Sequence, residues 1–298
     1  MKLTEDRLPR VDFLGFSISK FILGSNPFSG FSHQNRKMDE EMMDFYTATR
    51  IKKTWDQAQQ YGINAICGRG DRHMLLLLRE YWNEGKGRGL FWFAQTAPEY
   101  ASFEASVSLI TNSRFKPSFI YHHGGQLDYL LMEGKKQLVK DHLKIIRDTG
   151  YPCGLASHQP QFIALAEEEN WDVDFYLTCF FNLTGRGKQG LTALKGSAGE
   201  VFDRSDPPKM CEVIKQVKKP CVAYKIFGSG RLCQDRKQLY QAISFAVENI
   251  KPGDLILAGV FQKYGNQLKE DVEIVRRLLS RKQQARKRTD GQREKTAG

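Results

Sequence analysis

The chain has 298 residues, 41% of them hydrophobic and 27% charged, with a formal net charge of +11. That balance is ordinary for a globular chain long enough to bury one large core, and it excludes a disordered or fibrous protein. No apolar run approaches the roughly 20 residues a membrane helix requires, and the opening Met1-Lys-Leu-Thr-Glu-Asp-Arg lacks the apolar stretch of a secretory signal, so no membrane partner is expected.

The charge is unevenly placed. The last 18 residues, from Arg281, hold seven Lys/Arg and two Asp/Glu, which leaves +6 on the body. With no apolar side chain larger than alanine, this stretch cannot join a core. It reads as a solvated, disordered basic tail (residues 281–298) behind a single domain (residues 1–280). The competing reading, a basic arm for nucleic acid, finds no helix-turn-helix, RNP motif or zinc finger in the body to support it. Six cysteines, Cys67, Cys153, Cys179, Cys211, Cys221 and Cys233, are scattered without a framework spacing. That usage suits reduced thiols and a cytoplasmic location.

In chain order, Phe13–Ser19 reads as a small hairpin and Phe21–Gly24 as the first strand. Apolar residues at helical spacing run from Ile51 to Tyr61 and stop at Gly62, a favourable residue just past a helix end. Ala65–Cys67 is a second strand, Met74–Trp82 a helix, Leu90–Gln95 a third strand and Phe103–Thr111 a helix. Ser118–His123 makes a fourth strand, followed by an amphipathic helix over Gln137–Thr149 that stops at Gly150. Cys153–Ser157, the helix Phe162–Glu169, Val173–Leu177 and the helix Pro208–Lys218 continue the alternation. Val222–Phe227, Lys237–Asn249, Leu255–Gly259 and a closing helix from Gln267 to about Arg286 complete it.

Strands that alternate with helices imply a parallel sheet. Eight such pairs in about 270 residues favour closure into a (β/α)8 TIM barrel, with a short N-terminal hairpin and a long loop after strand six. An open doubly wound sheet would carry a phosphate-binding glycine signature after strand one, whereas Gly24-Ser-Asn-Pro-Phe-Ser-Gly30 lacks that spacing. The connection Asn182–Pro207, glycine-rich and without periodicity, would hang over the catalytic face as a lid.

Barrel enzymes place their chemistry at the carboxyl ends of the strands. Of six histidines, His33, His73, His122, His123 and His158 fall at or after strand ends, and only His142 lies within an outer helix. Imidazoles serve as acids, bases or metal ligands near neutral pH. Strand side chains alternate, so His123, in phase with Phe119 and Tyr121, is expected to face the mouth and His122 to face away. Candidate catalytic residues are therefore His123, His158, Asp71, His73 and Lys225, the last a costly lysine inside a strand unless paired or reactive. Tyr176 and Cys179 also stand at the end of strand six. The turn Gly228-Ser229-Gly230-Arg231 could offer backbone N–H groups and a guanidinium to an anion, with Gln95 and Asn182 as further binding residues. His123, His158 and Cys179 have ligand types that suit a divalent transition metal, although no compact ligand motif is present.

Leu14-Gly-Phe-Ser-Ile-Ser-Lys-Phe-Ile-Leu-Gly24, Tyr61-Gly-Ile-Asn64, His123, Gly228-Ser-Gly-Arg-Leu232 and Pro252-Gly-Asp254 resemble segments of the aldo-keto reductase superfamily. The resemblance spans about residues 11–280. It implies a barrel, bound NADPH and cofactor phosphates held near Gly228–Leu232 and Pro252–Asp254. The family's active-site histidine falls on His123. Its aspartate falls on Cys67, its tyrosine near Arg72 and His73, and its lysine on Gln95, so the proton donor and its tuning partners are replaced. Three readings follow. The first is acid–base lyase or isomerase chemistry, with or without metal, on a sugar-like or hydroxy-carbonyl compound. The second is an NADPH-dependent reductase with an altered tetrad, and the third is a binding barrel that does not catalyse.

Overall fold

In the computed structural model, which describes residues 8–184 and 200–296, the chain enters through an antiparallel hairpin. Its strands are β1 (Arg10–Phe13) and β2 (Phe16–Ser19). The turn between them needs two left-handed residues, Leu14 at φ 55° and Gly15 at φ 83°, and the Gly15 N–H donates to Asp12 Oδ1 at 2.8 Å. Asn64 pins this hairpin to the barrel, accepting from the Ser19 N–H at 2.7 Å and donating to the Ser17 carbonyl at 2.9 Å.

Eight parallel strands close into a ring. They are β3 (Phe21–Gly24), β4 (Ala65–Arg69), β5 (Phe91–Gln95), β6 (Phe119–His122), β7 (Cys153–Ser157), β8 (Phe175–Cys179), β9 (Cys221–Tyr224) and β10 (Leu255–Ala258), which pairs back onto β3. The expected barrel is therefore the observed one, and no open doubly wound sheet forms. Alternation sorts the strand residues. Phe93, Phe119, Phe175, Leu177 and Val222 fill the inside with Phe13 of the hairpin, while Trp92, Ile120 and Leu155 face the helices. Phe93 and Phe119 stack at 4.1 Å between ring centres, and Phe13 meets them edge-on at 5.6 Å, so the hairpin plugs the amino-terminal end. Gly154 on β7 leaves room for this layer, since a Cβ there would lie 2.4 Å from the Phe175 ring.

Around the ring run α1 (Arg36–Phe45), α2 (Ala48–Gln60), α3 (Arg72–Asn83), α4 (Phe103–Thr111) and α5 (Gly124–Met132). They continue with α6 (Lys136–Arg147), α7 (Pro160–Glu168), α8 (Asp206–Gln216), α9 (Arg236–Asn249) and α10 (Gln267–Thr296). Two helices lie beyond the periodicity reading. α1 buries only Met42 and so shows almost no apolar stripe, while α5 opens on Gly124-Gly125 directly after β6. The fourth strand stops at His122, leaving His123 as the residue that caps α5. The seventh stops at Tyr224, because Lys225 adopts φ 57° and cannot continue a strand. The helical backbone of α10 continues to Thr296 through the segment expected as a disordered tail. The expected lid falls mostly on residues 185–199, outside the described residues. Among the described residues no helix is long and apolar enough to cross a membrane.

Candidate functional site

At the carboxyl ends of the strands a cavity of about 600 Å³ opens between the loops after β3 and β9 and the start of α10. The loop after β3 delivers His33 in a left-handed conformation, φ 55°. Its Nδ1 lies 2.9 Å from Glu200 Oε2, and Lys225 Nζ lies 3.1 Å from its Nε2. A carboxylate only accepts, so Nδ1 carries the proton and Nε2 accepts from the lysine. Burial and the Lys225 charge lower the His33 pKa against the opposing bond to Glu200. Burial lowers that of Lys225 as well, partly offset by Glu200. Burial alone would raise the Glu200 carboxyl, but the His33 hydrogen bond and the Lys225 charge hold it below the usual value. Among the described residues, three of the five non-glycine residues with positive φ, His33, Lys225 and Ser229, belong to these two loops. Such backbones persist only where the surroundings over-determine them.

Arg231 supplies part of that constraint. It donates to the His33 carbonyl at 2.9 Å and the Gly228 carbonyl at 3.1 Å, with its guanidinium 4.0 Å over the Phe202 ring. The Gly228 N–H turns back to the Lys225 carbonyl at 2.8 Å. The Gly228–Arg231 turn, expected as an anion seat, thus spends these groups on lacing two loops together. Ser229 and Gly230 still line the cavity.

A second network stands at the end of β7. Asp128 of α5 is fully buried. Its Oδ2 accepts from the His158 backbone N–H at 3.0 Å, from His158 Nδ1 at 2.8 Å and from Thr184 Oγ1 at 2.8 Å. Its Oδ1 accepts from Ser157 Oγ at 2.5 Å. His158 is thereby held with its proton on Nδ1 and with Nε2 as the basic nitrogen, its ring edge-on to cavity-lining Tyr224 at 5.7 Å. His123 has the opposite polarity. Its Nδ1 accepts the Gln126 N–H at 3.1 Å, which leaves Nε2–H as a donor. Burial, followed by the positive charge of Arg69, keeps this imidazole neutral, its pKa well below the ordinary value.

Cys67 and Tyr121 meet at 3.1 Å on the cavity wall, and burial pushes the thiol up to about 12, so it stays protonated. Arg69 at the end of β4 lines the cavity, paired with Asp71 at 3.3 Å and with Glu99. At the opposite end Asp271 of α10 is buried, and no described group hydrogen-bonds its carboxyl. Burial and then the neighbouring Glu270 raise its pKa well above the usual value.

Neither His158 nor His123 lines the cavity, and the structure disperses the other expected residues as well. Asp71 caps α3, accepting the Met74 N–H at 2.9 Å. His73 is exposed on the first turn of that helix, with Nε2 3.3 Å from the Phe28 carbonyl, and does not line the cavity. His122 faces outward, 3.0 Å from His142 Nδ1. Gln95 does line the cavity, whereas the Asn182 backbone N–H donates to Asp206 at 3.0 Å. Tyr176 points out to Glu167 at 2.8 Å. Cys179 is buried, its thiol pushed up to about 12 by burial. Among the described residues no three His, Cys, Asp or Glu side chains gather as metal ligands, so the expected His123, His158 and Cys179 set does not form. The turn Pro252–Asp254 precedes β10 and therefore lies at the plugged end, where Lys20 Nζ donates to the carbonyls of Lys251, Pro252 and Asp254 at 3.1, 2.9 and 2.5 Å. It cannot hold a phosphate at the mouth.

Sequence reasoning missed Asp128, Glu200, Arg69 and Asp271. Only Arg69, two residues beyond Cys67, could have been found, from the rule that strand ends carry the chemistry.

A closed parallel barrel of eight strands ringed by helices, with polar side chains gathered at its carboxyl end, is a TIM barrel. No family model and no curated protein matches the chain. Among solved structures it is similar to a "putative aldo-keto reductase" from Pseudomonas aeruginosa, at 13% identity and a TM-score of 0.60, with 94% of this chain and 100% of that one covered. A second structure described in the same words has 14% identity, a TM-score of 0.60 and coverage of 91% and 95%. A truncated 3-deoxy-D-arabino-heptulosonate 7-phosphate synthase from Thermotoga maritima has 13% identity, a TM-score of 0.50 and coverage of 96% and 93%. At these identities the likeness is one of fold.

Proposed function

We propose that this barrel is an acid–base enzyme that moves a proton at the carbon beside a carbonyl, in lyase or isomerase chemistry on a small sugar-like or hydroxy-carbonyl compound. The observation that carries this reading is the Asp128–His158 pair. A fully buried carboxylate holds one imidazole nitrogen and leaves the other as a base, on a ring packed edge-on against cavity-lining Tyr224. The His123 Nε2–H, on a buried ring outside the cavity lining, is the complementary neutral donor, and Arg69, which lines the cavity and is paired with Asp71 and Glu99, is the cation nearest an acidic group or developing oxyanion there. Metal assistance finds no ligand set among the described residues.

The reductase reading is weaker on the residues themselves. The aldo-keto reductase tyrosine falls near Arg72 and His73, and His73 lies outside the cavity. The family's aspartate and lysine positions hold Cys67 and Gln95.

The test is exchange of the α-proton of dihydroxyacetone, glyceraldehyde and related hydroxy-carbonyl compounds in D2O, followed by proton NMR. His158→Gln is expected to slow exchange by about 100-fold. Exchange that proceeds equally in the variant, or no exchange across the panel, overturns the proposal. Titration with NADPH monitored by fluorescence tests the reductase alternative directly.

A further inference from the structure

The protein buries two lysines in opposite ways. Lys20, at the plugged end, gives its ammonium three backbone carbonyls, the full complement for three protons, as a structural cation should. Lys225, at the mouth, has no carbonyl acceptor among the described residues, and its Nζ meets the His33 ring at 3.1 and 3.2 Å. Glu200 fixes Nδ1 of that ring as a donor, so Nε2 is its acceptor, shared between Lys225 Nζ and the Asn26 side-chain amide, which lies 3.3 Å from it. An ammonium facing a neutral base in a desolvated wall is a device for producing a free amine. The backbone supports the same conclusion. Both partners occupy left-handed conformations, φ 57° for Lys225 and 55° for His33, and Arg231 clamps the loop carrying His33 to the loop carrying Lys225.

We propose that Lys225 is a catalytic nucleophile that captures the carbonyl carbon of a small polar aldehyde or ketone as an imine. This rests on the acid–base reading above and names its substrate class as carbonyl compounds able to condense with an amine. His33 Nε2 takes a proton from the Lys225 ammonium, and the Nζ lone pair attacks the carbonyl carbon. The carbonyl oxygen gains a proton and the nitrogen loses one, giving a neutral carbinolamine. His33 returns its proton as the hydroxyl leaves as water, and the nitrogen lone pair forms the C=N bond of a protonated imine. That cation draws electrons from the neighbouring C–H bond, whose proton passes to His158 Nε2, leaving an enamine. Reprotonation and addition of water reverse the sequence and free the lysine.

The experiment uses the full chain with dihydroxyacetone or glyceraldehyde and sodium cyanoborohydride, followed by peptide mass spectrometry. A reduced imine adds the mass of the carbonyl compound less one oxygen atom. The Lys225 peptide is expected to carry this increment about tenfold more than exposed lysines of the same sample, and to lose the excess when the protein is unfolded in urea. Equal labelling of Lys225 and exposed lysines in the native protein overturns the proposal, with no variant required. Lys225→Arg, which keeps the charge, is expected to abolish α-proton exchange. Exchange at the native rate in that variant removes the imine from the pathway while leaving the acid–base reading intact. Selective labelling without exchange does the reverse, and neither signal rejects both.

Discussion

Replacing Asp128 with asparagine separates what the buried carboxylate does for folding from what it does for chemistry. The carboxylate accepts four hydrogen bonds, from Ser157 Oγ, Thr184 Oγ1 and both the backbone and the Nδ1 of His158. A bond to an ionised group contributes about 1.5–3 kcal/mol against about 0.5–1.5 for a neutral one, so the amide weakens the set by roughly 4 kcal/mol. Removing a buried charge recovers a desolvation cost of several kcal/mol, and the net fall in stability is expected to stay within about 2 kcal/mol. Catalysis has no such offset. When His158 takes a proton it becomes an imidazolium, and without the adjacent negative charge that state loses its counter-ion. The expected loss in turnover is about 10³-fold. Asp128 acts through His158 as a positioning residue, so kcat for α-proton exchange should fall while KM is unchanged, and urea unfolding should show a folded protein. A variant that exchanges within threefold of the native rate refutes the assigned role, and so does one that loses binding together with turnover.

The remaining expectations concern packing and titration. Gly154→Ala places a methyl against the rigid Phe175 ring and is expected to cost about 3 kcal/mol of unfolding free energy; a native denaturation midpoint refutes the close approach. His122 is pushed down to about 3, by burial first and then by His142, so between that value and 6.5 the unfolded chain binds more protons than the folded one. Stability from this group is therefore complete above pH 6.5 and is lost on acidification by about 1.4 kcal/mol per pH unit. His122→Asn should flatten that limb in urea titrations at several pH values. Lys225 is lowered by burial, with Arg231 acting in the same sense and Glu200 and Cys179 opposing it, so its free amine exists at pH values where exposed lysines are protonated. The ratio of reductive labelling at Lys225 to that at exposed lysines should thus be greatest below pH 10.5 and fall towards one above it; a ratio independent of pH contradicts the lowered value.

Alternation was enough to read the barrel, because eight apolar runs between amphipathic helices have few other solutions. It also separated His122 from His123, since Phe119 and Tyr121 fix the inward phase of β6. What the sequence concealed were features that depend on caps and left-handed residues. Asp71 stands three residues before Met74, the spacing of a helix cap, and that local bond explains it without catalysis. Ile226 and Phe227 extend the apolar run of β9 past the point where the positive φ of Lys225 ends it. Asp128 was hidden because α5 begins on two glycines and shows no stripe, and Glu200 follows a stretch without periodicity. Pro252–Asp254 and Tyr61–Asn64, which carry much of the family resemblance, serve the plugged end through Lys20 and the hairpin. The resemblance therefore reports the scaffold rather than the chemistry.

His33 lines the cavity and His123 and His158 stand near it outside the lining, and the hydrogen-bond partners of these three imidazoles divide the labour among them. A carboxylate can only accept, so Glu200 and Asp128 place protons on Nδ1 of His33 and His158 and leave Nε2 of each as a base. A backbone N–H can only donate, so Gln126 makes Nδ1 of His123 an acceptor and its Nε2–H a donor. Two bases and one neutral acid is the set that imine chemistry at a carbonyl requires: one base for the lysine, one for the carbon and a donor for the oxygen. Gln126 holds its end of this arrangement through its main chain, so changing its side chain to alanine should leave His123 in place. Inserting proline at 126 removes the N–H and frees His123 to exchange tautomers. Loss of turnover in the proline variant and not in the alanine variant, with both folded by circular dichroism, is the outcome this division of roles requires, and equal turnover in the two would refute it.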